Sequence, residues 1–122
     1  MAHPLSPEAL AFFAHMPEAA AILSADGIVL AVNPVWGRTF GADDRFVGGG
    51  LDDCFGGRRE EFVAHLERAW NGSVEVFEGG CEFPGCSPRN VRLSLSRGPG
   101  DYLVATAADF TKTRTLLSLL EE

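Results

Sequence analysis

The stretch Ser24-Ala25-Asp26-Gly27-Ile28-Val29-Leu30-Ala31-Val32-Asn33-Pro34-Val35-Trp36 decides how the chain is read. Asp26-Gly27 is a turn pair in which glycine takes positive φ at no steric cost, so Ala20–Leu23 and Ile28–Val32 read as two antiparallel strands. The second strand runs straight into Asn33-Pro34. An asparagine side chain accepts from the first free amides of a helix, and proline suits the first helical position because its missing N–H would be unpaired there. A brief helix is expected, with Val35, Trp36 and Phe40 as its apolar residues and Gly41 as its stop.

Upstream, Ser6-Pro7-Glu8 supplies an N-cap hydroxyl, a first-turn proline and an acid facing the helix dipole. A short amphipathic helix should run from about Pro7 to Met16, where Pro17 ends it, with Leu10, Phe13 and Ala14 on one face and Phe12 beside them. Downstream, the Gly-rich acidic passage around Phe46-Val47 and Leu51 to Phe55 reads as short helical turns and loop, without regular sheet. Arg58 to Trp70 is the clearest helix. At about 100° per residue its Phe62, Val63, Leu66, Ala69 and Trp70 fall within one apolar arc, opposite Glu60, Glu61, Glu67 and Arg68. Asn71-Gly72 closes it.

Three strands fill the remainder, Ser73 to Phe83, Asn90 to Arg97 and Asp101 to Ala108. The middle one alternates Val91, Leu93 and Leu95 with Arg92, Ser94 and Ser96, and Gly98-Pro99-Gly100 joins it to the last. The expected fold class is α+β: an antiparallel sheet of five strands with the short helices and the longer one on one face, besides an N-terminal amphipathic helix and a C-terminal exiting helix. An N-terminal amphipathic helix occupies residues 1–17, the core domain 18–110, and the start of an exiting helix 111–122.

Composition narrows the function. The 122 residues, 46% hydrophobic and 22% charged, suit one globular domain with one core. Seventeen acidic against ten basic residues give a net charge of −7, and the cations are scattered, which argues against a nucleic-acid groove or an anionic membrane surface. Every apolar run is interrupted by Pro, Gly or charge, so a soluble, cytoplasmic chain is expected. The three cysteines, Cys54, Cys81 and Cys86, are an odd number without a secretory signal, which fits reduced thiols.

In order and spacing, Asp26-Gly27, Val32-Asn33-Pro34-Val35-Trp36, Phe40-Gly41, Val47-Gly48, Trp70-Asn71-Gly72 and Asp109-Phe110-Thr111 together resemble a PAS domain. The resemblance spans about residues 15 to 113. It implies a sensory or interaction module of a larger signalling protein, in the first instance a sensor histidine kinase of a two-component system, with no catalytic residue of its own. In that fold the sheet and the helices wall a cavity. Trp36, Phe40, Phe62, Leu66, Val91, Leu93 and Thr106 would face its interior, either as packed core or as ligand contacts. A small-molecule sensor within a cyclic-dinucleotide enzyme or a transcription regulator is the alternative.

No cofactor is expected. The passage matching the flavin-binding motif of light-oxygen-voltage members reads Gly50-Leu51-Asp52-Asp53-Cys54-Phe55, lacking the asparagine before the cysteine and the glutamine after it. His65 raises haem ligation, but it sits at the edge of the apolar arc beside Glu61 and Arg68, away from the position haem-binding relatives use. Cys81 and Cys86 make at most half of a zinc site, since His3, His15, His65 and Cys54 would have to converge from separate elements. No nucleophile elbow or phosphate-cradling loop occurs.

Asp109-Phe110-Thr111 stands where PAS domains carry the motif that joins the last strand to an exiting helix, with Phe110 in place of an aliphatic residue. Leu116, Leu117, Leu119 and Leu120 then give that helix an apolar surface with nothing evident inside the chain to cover it. A homodimer is expected, in contact through Leu10 and Phe13 of the first helix and Leu116, Leu117 and Leu120 of the last, signalling to an effector domain of the same polypeptide.

Overall fold

The computed structural model describes residues 5–40, 47–82, 88–111 and 119–120. The elements run α1 (Pro7–Ala14), β1 (Ala19–Leu23), β2 (Val29–Val32), α2 (Pro34–Phe40), a run of 3-10 turns (Leu51–Arg58), α3 (Arg59–Trp70), β3 (Glu75–Cys81), β4 (Arg89–Arg97) and β5 (Leu103–Asp109). The strands form one antiparallel sheet in the order β2-β1-β5-β4-β3. The α+β expectation therefore holds.

The hairpin turn folds as its residues dictate. Gly27 has φ +84°, and a Cβ there would come within 2.9 Å of a Leu66 methyl, so the glycine serves both the turn and its contact with α3. At the other end of β2, Asn33 is 2% exposed and fully engaged. Its Oδ1 accepts from the amides of Ala20 and Trp36, each at 3.0 Å, and its Nδ2 donates to the carbonyls of Glu18 at 2.8 Å and Phe13 at 3.4 Å. One side chain thus caps α2 and ties it to β1 and to the end of α1.

Both faces of β1 are buried. Ala19, Ala21 and Leu23 point to the main core, with Trp36, Phe40, Leu51, Phe55, Phe62, Leu66, Phe77, Val91, Leu93 and Leu95. Ala20 and Ile22 point the other way, to a smaller cluster with Leu5, Phe13 and Tyr102. The helices α2 and α3 cover one face as expected, and α1 lies on the opposite face. Phe13, expected at a dimer contact, is 5% exposed and packs on the domain's own sheet, whereas its neighbour Phe12 is 74% exposed. Burying one phenylalanine contributes about 1.5–3 kcal/mol, enough to dock a helix of eight residues that would not persist alone.

Several boundaries move for local reasons. The α1 helix ends at Ala14 because the His15 amide turns to Ala11 and Phe12 and that of Met16 to Phe13, tightening the last turn. β3 starts at Glu75, not Ser73, because the Ser73 amide donates to Arg68 O and closes α3, with Gly72 at φ +103°. The Gly-rich passage carries no regular strand among its described residues, as expected, but Gly50 makes an isolated bridge to Ile28, and Val29 exchanges hydrogen bonds with Gly48 and Gly49. These glycines cover the outer edge of β2. Gly41 lies outside the described residues.

Asn33→Ala should leave the buried Ala20 and Trp36 amides without that partner, lowering unfolding stability by about 3 kcal/mol. Urea denaturation checks this, with Asn33→Asp expected to lose less because both accepting bonds survive.

Candidate functional site

The inner face of the sheet is filled by rings. Trp36 meets Phe40 at 4.9 Å between centroids, and Phe55, Phe62 and Phe77 form a triangle at 5.1, 4.8 and 5.5 Å. Of the expected interior residues, Trp36, Phe40, Phe62, Leu66, Val91 and Leu93 all lie in this cluster. Thr106 does not. It pairs with Ser94 and shares the parity of Val104, on the face that α1 partly covers, while Leu103, Ala105 and Ala107 point inward. Phe55 and Phe77 belong to the core and were not singled out from the sequence. Phe77 was legible in principle, since it opposes Leu93 on the alternating strand.

A polar latch holds α3 to the start of β3. Glu75 accepts from Ser73 Oγ at 2.6 Å and Arg68 Nε at 2.5 Å, and its Oε1 lies 2.9 Å from His65 Nδ1. These hydrogen bonds, with Ser73, Arg68 and His65 in that order of weight, hold the Glu75 carboxyl at about 2, against 4.5 ordinarily. His65 is thus committed through Nδ1 and stands edge-on to Phe77 at 5.4 Å.

Arg58, also missed from sequence, crosses the edge of β3. It forks onto Glu61 at 3.0 and 2.8 Å, donates to Glu78 O, and lies 4.4 Å over the Phe77 ring. Gly79 makes this possible, because a Cβ there would stand 2.5 Å from the guanidinium. Glu78 in turn accepts from Arg92 Nε at 2.7 Å, and Arg92 lies 5.9 Å from the Phe110 ring.

The chain leaves β5 through a tightly bonded corner. Asp109 Oδ2 accepts from Arg89 at 2.7 Å, and its Oδ1 accepts from the Thr111 amide at 2.9 Å and hydroxyl at 2.6 Å. Thr111 Oγ1 accepts from the Asn90 amide, and Asn90 O from the Phe110 amide, both at 2.9 Å. Burial pushes the Asp109 carboxyl up, but the Thr111 and Arg89 bonds outweigh it and hold it below its usual value. Asp109, Phe110 and Thr111 therefore form one unit with the start of β4. Of the expected dimer residues, Leu10 is 37% and Leu120 82% exposed, while Leu116 and Leu117 lie outside the described residues.

The Cys54 thiol is pushed up to about 11 by burial and by the Asp53 and Asp52 carboxylates, so it stays protonated at neutral pH. Cys86 lies outside the described residues. Among the described residues, no three of His, Cys, Asp and Glu are grouped to hold a metal ion, and no helix is long and apolar enough to cross a membrane.

No family model and no curated protein matches the sequence. Solved structures match the fold closely. A domain of the sensory box sensor histidine kinase/response regulator from Geobacter sulfurreducens superposes with a TM-score of 0.71 at 24% identity, over 84% of this chain and 91% of its own. The PAS domain of an HTR-like protein from Haloarcula marismortui gives 0.68 at 23% identity, over 84% and 94%. The PAS domain of the Cronobacter turicensis RpfR quorum-sensing receptor, solved in complex with BDSF, gives 0.64 at 14%, over 80% and 97%. The chain has the PAS fold.

The latch predicts a pH dependence. A carboxyl held below its ordinary value contributes stability that is present above 4.5 and lost as pH falls toward about 2. Urea midpoints of the wild type should therefore fall through that window more steeply than those of Glu75→Gln, the two curves converging at the acid end.

Proposed function

We propose that this domain is a non-catalytic sensory and dimerisation module of a larger cytoplasmic signalling protein, most simply a sensor histidine kinase, which passes a change in its core to an effector through the C-terminal helix. The bonded corner at Asp109, Phe110 and Thr111 carries this reading. It couples the last strand to the exiting chain through the Thr111–Asp109 bonds, and ties both to the start of β4 by the Arg89–Asp109 and Asn90–Thr111 bonds that a shift of β4 against β5 would break together. Arg58, Glu78 and Arg92 supply physical contact from Phe77 of the core to Phe110 of the corner. The buried polar side chains support a non-catalytic role: Asn33 spends its bonds on the fold, and Asp52 is paired with Arg59 at 2.7 Å.

The ring-filled core supports function without haem or flavin. Small-molecule sensing is the second reading, favoured by the likeness to the RpfR domain solved with BDSF. Native mass spectrometry with an absorbance spectrum of the purified domain separates them. An apo dimer is expected, and a co-purifying chromophore or bound small molecule would replace the first reading by the second.

Two variants test the coupling. Truncation before Lys112 should convert the dimer to a folded monomer in sedimentation velocity, because Leu119 and Leu120, 62% and 82% exposed, are removed with the rest of the helix. Asp109→Ala should cost about 1.5–3 kcal/mol by loss of charge-assisted bonds, and should uncouple the effector's output from input without abolishing dimerisation.

A further inference from the structure

Cys54 and Cys81 line one open cleft of about 420 Å³ between the 3-10 turns and the end of β3. The Glu82 amide donates to Cys54 O at 3.0 Å, and this bond sets the segments carrying the two cysteines side by side. Both residues touch the same core cluster: Cys81, 2% exposed, forms part of it, and Cys54, half-buried, packs against it. Gly56 and Gly80 leave parts of the cleft wall without side chains, and Asp53 and Glu82 add carboxylates. Among the described lining residues there is no Lys or Arg.

This donor set is selective. Among the described residues no group of three or more His, Cys, Asp and Glu is placed to hold a metal, so these residues supply tetrahedral zinc or an oxygen-seeking cation with at most two of its ligands. Two sulfur ligands suit a soft cation that is content with two. Charge narrows the class further. A divalent ion that replaces two thiol protons leaves the pair neutral, whereas a monovalent one would leave a net negative charge, partly buried and next to carboxylates. We propose that Cys54 and Cys81 form a two-thiolate site for a soft divalent cation that accepts linear coordination, the class to which mercury(II) belongs. Binding forms two sulfur–metal bonds and breaks two S–H bonds. Both protons pass to solvent, and no electron is transferred.

The test uses the full chain, mercury(II) chloride at one equivalent, and excess glutathione as a monothiol competitor. Native mass spectrometry should show one ion retained per chain in the wild type and in Cys86→Ser, with two protons released per ion in unbuffered titration. Cys54→Ser and Cys54→Ala, with folding verified by circular dichroism, should each weaken retention by roughly 100-fold, because a chelate becomes a single thiol. Loss of the ion to glutathione from the wild type, an equal loss in Cys86→Ser, or full retention in a folded Cys54 variant would each overturn the assignment.

Discussion

The side chain of Asn33 is the constraint on which the rest of the fold depends. Four backbone groups from three parts of the chain meet on its amide: the ends of α1 and of the α1–β1 link, the second residue of β1, and the first turn of α2. Three of those groups, the Ala20 and Trp36 amides and the Phe13 carbonyl, are bonded in buried surroundings and would each cost about 1–3 kcal/mol if left without a partner, so the amide determines where α2 can begin. Pro34 complements it by having no amide to satisfy. Trp36, whose own amide is one of the four, is thereby seated in the core and brings Phe40 with it. At the opposite end of β2, Gly27 lets the hairpin turn touch Leu66, so β2 is fixed at both ends before its edge is covered.

The consequence is a sheet with two different halves. β1 is buried on both faces, and its three alanines let α2 on one side and α1 on the other approach closely. β4 is buried on one face only, with Arg92, Ser94 and Ser96 turned outward. The β3 edge is held by polar side chains, Arg58 across it and Glu75 at its start. Apolar packing has no alternative partner of equal energy within reach, but exchangeable hydrogen bonds do, so rearrangement is cheaper on the β3–β4 side.

What was legible in the sequence follows the same division. The Asn-Pro corner, the Ser6 cap, the α3 arc and the β4 alternation were readable because each rests on local chemistry or on a pattern with one apolar parity. Thr106 was misplaced because Leu103 to Ala108 is apolar or small on both parities, and only the register, Leu95 against Ala105, assigns its faces. Phe12 and Phe13 are adjacent, so helical spacing alone does not tell which one docks; the side of the sheet that α1 lies on decides it. Arg58 and the latch of His65, Arg68 and Glu75 join a helix and its end to the strand that follows, and no spacing rule connects their side chains. The pocket residues were legible as core, which is a statement about burial and not about ligand.

That last distinction bears on how a signal could travel. A core whose aromatic rings stand about 5 Å apart transmits displacement because it is close-packed. The contacts leading out of it are of another kind. Arg58 touches Phe77 by its face, Glu78 by a backbone bond and Glu61 by a fork, and its hold on the sheet edge can be lost without unfolding α3. Arg92 and Glu78 repeat the arrangement one step closer to Phe110, and Asp109 with Arg89 completes it at the exit. On the proposed signalling role, a small displacement of Phe77 would act on charge-assisted bonds that have distinct made and broken states, which is the condition for converting a graded movement of the core into a switch at Thr111.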